Sequence, residues 1–275
     1  MNLAPKTSKI YCHMRLSHFD RISSSTEASR LSQSTENYLL AIYSLWEEDL
    51  FPTVTQLAQS LKDLPESEGI GTSLPSVTAM VGRIQKQDLI SFSDDKKILL
   101  TDSGFNEAED IVRRHRLAEC LVVGILNMDL TDAHQEAHRL EHGMSLAFQH
   151  HLAQTLDYPT RSPFGRAIPG SGEPILPIGA IDLTQSNIGQ PYRVIRIPQE
   201  AKDLVKYLAD SELIPGEEVV TIESAETISV LRVATRSTEV SMGFDVAKQI
   251  IVSPSTYRLR VSRTRFQLSA LSPSG

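Results

Sequence analysis

The chain has 275 residues, 40% hydrophobic and 22% charged, which is enough apolar material for a sizeable core and excludes a hormone-like peptide or a fully disordered chain. Its 27 basic and 34 acidic residues leave a formal charge of −7, which argues against a histone-like binder held by bulk charge but not against a DNA reader with a local basic face. Two cysteines, Cys12 and Cys120, cannot build a disulfide framework, and no stretch approaches the roughly 20 apolar residues of a membrane span. Residues 1–33 have no apolar signal core and read as a Ser-rich disordered arm, so a reducing, cytoplasmic setting is expected.

From Ser34 the texture changes. Ser34 or Thr35 can cap a helix, and Tyr38, Leu39, Ile42, Leu45 and Trp46 recur at helical spacing to about Glu48. Val54, Leu57, Ala58 and Leu61 mark a second short helix. Pro75, with Val77, Met80, Val81 and Ile84 behind it, marks a third, ending near Asp88. The runs Leu89–Phe92 and Lys97–Leu100 flank a polar turn and predict a hairpin. Three short helices and a hairpin over residues 34–101 are the parts of a winged helix-turn-helix, with Ser73 to Asp88 as its recognition helix.

Residues 102–157 predict three packed helices suited to dimerisation: one from Thr101–Asp102 through Ile125, one from Thr131–Asp132 past Leu140, and one over about Met144 to Leu156. The last is given an apolar face of Leu146, Ala147, Leu152 and Leu156. Residues 158–180 turn to Pro and Gly and read as a stiff extended linker. Short β-rich runs with one helix near Ala201–Ala209 predict a small barrel over 181–253. Residues 254–275 end the chain in a basic tail carrying Arg258, Arg260, Arg263 and Arg265, read as solvated. The fold expected is mainly α with a small β domain.

The residues with the strongest chemical signature are His134, His138, Glu141 and His142. On one helix they fall at about 0°, 40°, −20° and 80°, a single face. His115 and Glu119 share a face of the preceding helix at i, i+4. Antiparallel packing across a short connection at Asn127–Leu130 would bring up to six nitrogen and oxygen donors together, a set suited to a divalent transition metal. The spacing is neither the HExxH of a zinc protease nor the paired Glu-x-x-His of a di-iron bundle. With no evident nucleophile, sensing is favoured over catalysis; a metalloenzyme built on the same cluster is the rival reading. His150 and His151 are given no ligand role, and Cys120 reads as a small buried apolar residue.

The DNA-facing candidates are less specific. Ser73, Ser76 and Thr78 can bond phosphates or base edges, Pro75 can meet a thymine methyl, and Arg83 with wing residues Lys96 and Lys97 can reach the backbone. Residues 34–101 carry five basic and ten acidic residues, so binding has to rest on local geometry and on two copies in a dimer.

The stretches STENYLLAIYSL, RRHRLAECL, HQEAHRLEH and SPFGRAIPG, in that order, resemble the diphtheria toxin repressor family of iron- and manganese-dependent transcriptional regulators. LADSELIPGEEV is similar to the SH3-like domain shared with ferrous iron transport protein A. The resemblance implies a homodimeric metal-dependent regulator, most simply a repressor, that binds double-stranded DNA at a palindromic operator. It also implies two metal sites per subunit. One would use His115, Glu119 and His134; the other would use His138, Glu141, His142 and a first-helix residue falling at Asn37, with Glu200 as an added ligand from the SH3-like domain. Family members carry an acid or methionine where Asn37 stands and a cysteine or acid where His138 stands. Loss of thioether and thiolate shifts the expected corepressor toward Mn²⁺, with Fe²⁺ as the alternative, although ligand type alone also lets Zn²⁺ or Cu²⁺ bind tightly.

Overall fold

The computed structural model describes residues 31–62 and 71–255; residues 1–30 of the N-terminal arm and most of the basic tail read from the sequence lie outside the described residues, and the last arm residues, Ser32 and Gln33, belong to the start of the first helix. Helix α1 (Gln33–Glu47) is capped by Ser32, whose Oγ accepts from the Thr35 amide at 3.2 Å. The cap falls two residues before Ser34, which is itself helical. Helix α2 (Val54–Lys62) precedes α3 (Leu74–Lys86), capped by Ser73 with Pro75 in its first turn. Strands β1 (Ile90–Phe92) and β2 (Ile98–Leu100) form an antiparallel hairpin pairing Ile90 with Leu100 and Phe92 with Ile98. The apolar stripes of the three helices close on one another, so Leu39, Ile42, Leu57, Val77, Val81 and Ile84 share a core with Ile90 and Ile98 of the wing.

Helix α4 (Asp102–Gly124) is 23 residues long and capped by Thr101. A turn through Asn127, at φ 52°, reverses the chain into α5 (Leu130–Glu141), which starts after Asp129 rather than at Thr131–Asp132. Helix α6 (Leu146–Thr155) follows Ser145 as cap. Its inward face is Gln149, Leu152 and Ala153, joined by Met144 and Leu156; Leu146 and Ala147, expected inside, point outward. The helix begins two residues later than the spacing suggested, and packing of Met144, Leu152, Ala153 and Leu156 against α4 sets which face is buried.

Among the described residues, helix α4 contributes to all three hydrophobic cores. Its Ala108, Ile111 and Val112 complete the winged-unit core, Leu117, Ala118 and Cys120 pack with α6, and Val122 enters the core of the C-terminal domain.

The Pro/Gly segment is not a free spacer. Phe164, Ala167 and Ile168 are buried, and Arg113 and Arg116 of α4 donate to the carbonyls of Pro169 and Ala167. The C-terminal domain is a six-stranded antiparallel sheet in the order β3-β8-β4-β5-β6-β7. Its strands are β3 (Ile181–Asp182), β4 (Pro191–Arg196), β5 (Glu218–Ala225), β6 (Val230–Ala234), β7 (Glu239–Gly243) and β8 (Ile251–Pro254). Helix α7 (Lys202–Asp210) packs against α5, and the single turn α8 (Phe244–Ala247) leads into β8. Alternating residues such as Val219, Leu231, Val233, Val240 and Met242 fill the interior, and bulges in β4 and β5 coil the strands around it. Among the described residues no helix is long and apolar enough to cross a membrane.

Candidate metal centre

Helices α4 and α5 run antiparallel, so His115 of α4 meets the end of α5 while Glu119 meets its middle. His115 Nε2 lies 3.0 Å from Glu119 Oε1 and 3.0 Å from His134 Nδ1, and His134 Nδ1 lies 3.3 Å from the same Glu119 oxygen. On its other side, His115 Nδ1 is 2.5 Å from Glu141 Oε2. The second oxygen of Glu141 faces His138 Nδ1 at 3.2 Å and His142 Nε2 at 3.4 Å. The two residue groups separated in sequence therefore form one continuous cluster, with the Glu141 carboxylate between them. The rings of His115, His134 and His138 stand 4.5–4.8 Å apart.

Charge balance follows from this packing. Burial alone would push His115 toward the neutral form, but Glu119 and Glu141 on either side outweigh it and raise its pKa to about 10. Burial works against ionising Glu119 and Glu141 as well, yet both are held below the usual carboxylate range, chiefly by His115. His138 is shifted down by burial and by the charge of His115.

The residues fit a divalent cation. Glu119 Oε2 is buried with no hydrogen-bond partner among the described residues, and one ligand atom each from His115, His134 and His138 lie within 4.8 Å of one another. All the donors are imidazole nitrogen or carboxylate oxygen. Cys120 stays outside the cluster: its buried thiol contacts the Arg161 carbonyl, and burial pushes its pKa well up.

Contact from α1 comes through Glu36, a first-turn acid that was not among the ligands expected from the sequence. Its Oε2 is 2.6 Å from His142 Nδ1, and its Oε1 accepts from Arg114 at 2.9 Å. Despite burial, His142 and Arg114 hold its carboxyl below the usual range. Asn37 is buried next to it on α1. Glu200 lies near enough for Arg166 and His134 to lower its pKa against the effect of burial, and its Oε2 accepts from the Gln199 amide at 3.2 Å.

A second polar group joins the domains beside this cluster. Glu47 at the end of α1 takes both ends of the Arg116 guanidinium, and Arg166 reaches Glu47 at 3.5 Å and Glu48 at 3.3 Å. Arg196 of β4 bonds Glu48 at 2.7 Å, and Arg166 Nε donates to Gln199 at 3.1 Å. Nothing in the local sequence signals this network, because its partners lie up to 148 residues apart.

In the winged unit, Ser73, Pro75, Ser76, Thr78 and Arg83 of the α3 segment are exposed. The Ser73 and Ser76 hydroxyls bond each other at 2.8 Å, and Thr78 donates to the Leu74 carbonyl. Lys96 and Lys97 are exposed at the wing tip, where Lys96 adopts φ 60° and Lys97 pairs with Asp95 at 3.1 Å.

Three family models match consecutive parts of the chain. They are the N-terminal DNA-binding domain of iron-dependent repressors over residues 30–98, the iron-dependent repressor metal-binding and dimerisation domain over 101–170, and the FeoA domain over 181–254. The iron-dependent repressor IdeR of Mycobacterium leprae is 30% identical over 238 residues, spanning 81% of this chain and 97% of that protein. The diphtheria toxin repressor of Corynebacterium diphtheriae is 31% identical over 70% of this chain and 86% of its own length. Among solved structures, the manganese regulator SloR superposes with a TM-score of 0.66 at 28% identity, over 82% of this chain and all of that one. A manganese-dependent transcriptional repressor in complex with manganese gives 0.68 at 26% identity, over 80% and 99%. A winged DNA-binding unit, an imidazole–carboxylate cluster at its base and an antiparallel C-terminal domain thus occur in one chain, in the order of these relatives. The chain belongs to the iron-dependent repressor family of metal-dependent, DNA-binding transcriptional regulators, and is not an enzyme.

Proposed function

We propose that this protein is a cytoplasmic homodimer that represses metal-homeostasis genes by binding a palindromic operator when Mn²⁺, or alternatively Fe²⁺, is bound. The observation that carries this reading is the position of the donor cluster, at the meeting point of α4, α5 and the first turn of α1. His115, Glu119 and His134 would hold one ion. His138, Glu141 and His142 would hold a second, with Asn37 from α1, and Glu200 would contribute from the C-terminal domain. When bound, a divalent cation supplies compact positive charge to a site where two carboxylates now share His115. The nitrogen and oxygen donor set, without thiolate or thioether, supports Mn²⁺ over softer preferences.

The rest of the work falls to the protein. Tyr38 and Leu39, which directly follow Asn37 in α1, pack in one core with Val77, Val81 and Ile84 of α3. Orientation of α1 at the cluster is therefore passed to the exposed face of the recognition helix, where Ser73, Pro75, Ser76 and Thr78 would meet bases and Arg83, Lys96 and Lys97 phosphates. With α1 held in that orientation, the geometry in which two recognition helices match successive major grooves would be favoured.

The test is selection of duplexes from a randomised pool by the full chain, followed by titration of the selected duplex with Mn²⁺, Fe²⁺ or Zn²⁺. Enrichment and affinity that require the metal, with a palindromic consensus, support the proposal. Equal affinity in excess chelator overturns it.

A further inference from the structure

Glu36 is 4% exposed, and its two oxygens are engaged by different elements. Oε2 faces His142 Nδ1 at the end of α5, while Oε1 accepts from Arg114 Nη2 of α4. Arg114 Nη1 in turn donates to the Glu141 carbonyl at 3.1 Å, directly before His142. Glu36, Arg114, Glu141 and His142 thus close a ring of contacts. One ring nitrogen is committed to the α1 carboxylate at 2.6 Å, and the other, Nε2, points to Glu141 Oε1 at 3.4 Å and so into the donor cluster.

That division of the two nitrogens has a defined consequence. A histidine that ligates a metal through one nitrogen commonly donates the other N–H to a carboxylate, which fixes the tautomer and the ring plane and makes the ligating nitrogen a better donor. We propose that Glu36 is the positioning residue of the metal centre: it accepts the Nδ1–H of His142, leaves the Nε2 lone pair directed at the cation, and ties α1 to the occupancy of the site. This inference rests on reading the cluster as a metal site. Glu36 acts through His142 and is not itself a ligand, since its carboxylate already serves His142 and Arg114.

Its place in the fold makes it a coupling group as well as a support. Two residues after Glu36, the Tyr38 hydroxyl donates to the Gly71 carbonyl at 2.8 Å, on the segment that leads into α3. Holding His142 from α1 therefore fixes the approach to the recognition helix.

Glu36→Gln separates this role from general structural support. The glutamine oxygen can still accept from Arg114, but the amide NH₂ then faces His142 Nδ1 and selects the tautomer protonated at Nε2, removing the lone pair that the cation needs. The experiment is titration of Mn²⁺ into metal-free full-length protein, read by the electron paramagnetic resonance signal of free Mn²⁺, for the native chain, Glu36→Gln, Glu36→Asp and His142→Ala. In parallel, ring-nitrogen NMR of the Zn²⁺-loaded protein reports the His142 tautomer. Glu36→Gln is expected to weaken Mn²⁺ binding by about 10–100-fold without lowering the number of sites. The His142 signal should move from the Nδ1–H to the Nε2–H form, and Glu36→Asp, which keeps the charge, should recover part of the loss. Native Mn²⁺ affinity in Glu36→Gln together with a loss in His142→Ala overturns the role of Glu36 and leaves the metal site standing. No Mn²⁺ or Zn²⁺ binding by the native chain removes the metal reading itself and the proposal with it. Should Glu36→Gln fail to fold, Glu36→Ala with native Mn²⁺ affinity and His142 still in the Nδ1–H form gives the overturning result.

Discussion

Single residues in this protein are held by backbone geometry as much as by side-chain chemistry. Gly165 sits at φ 86° in the turn that fastens the Pro/Gly segment to β4, where Ile197 N donates to the Phe164 carbonyl at 3.0 Å. A Cβ built there would stand 1.8 Å from the Ile195 carbonyl oxygen, so alanine meets both a disfavoured φ and rigid backbone. Gly172 has a similar φ, 83°, but a Cβ there meets nothing within 4 Å. Gly165→Ala should cost about 3 kcal/mol or more and lower Tm by roughly 6–12 °C, whereas Gly172→Ala should cost only about 1 kcal/mol of conformational strain. Calorimetry of the two variants checks the contrast; equal Tm values would mean that the β4 contact is dispensable. The same scale shows what local sequence conveys. His134, His138, Glu141 and His142 were legible because helical arithmetic alone aligns them. Glu36 was not, because an acid in a first helical turn is already explained by the helix dipole, and its partner lies 106 residues away.

At the scale of elements, the helices and strands were readable from apolar spacing and caps, and the errors were rotations and offsets. In α6 both Leu146 and Leu152 satisfy a helical stripe, and only packing of Met144 against the α4–α6 core decides which one turns inward. The α4–α5 pair also carries the pH response of the metal-free protein. His115 has a folded pKa above its unfolded value, so its stabilising contribution is complete below about pH 6.5 and is lost as pH rises toward about 10. Glu36, Glu119 and Glu141 have folded pKa values below their unfolded ones, so their contribution is present above about pH 4.5 and is lost as pH falls. His138, shifted down, also loses stability on the acid side as pH drops through its unfolded pKa. In chelator, Tm should therefore decline on both sides, with the alkaline decline beginning near pH 6.5 and flattened in Glu119→Gln. A Tm that keeps rising from pH 6.5 to 9 would contradict the His115 assignment.

At the scale of the whole molecule, the sequence divides cleanly into segments that the packing then joins. The boundary at residues 101–102 follows a change of pattern, yet Phe105 stacks on Trp46 edge-on with centroids 4.8 Å apart, and Ala108, Ile111 and Val112 fill the winged core. A fragment ending at Thr101 should lose the blue-shifted fluorescence of Trp46, the only tryptophan, and melt without cooperativity, while one ending at Gly124 should recover both. Cooperative melting of the shorter fragment would show the winged unit to be self-sufficient. The Glu47–Arg116–Arg166–Glu48–Arg196 network was equally invisible in sequence, since it exists only once α1, α4, the Pro/Gly segment and β4 have met.

A helix shared by three cores would act as a lever if it pivoted at the donor cluster. From His115 to the start of α4 at Asp102 the rise is about 20 Å, so a tilt of about 5° about His115 carries the winged end through about 1.7 Å. Two subunits tilting in opposite senses would change the separation of their recognition helices by about 3.4 Å, the rise of a single base pair. On the proposed metal-dependent reading, a small adjustment among imidazoles and carboxylates would then be read out as gain or loss of one step of helical register on DNA.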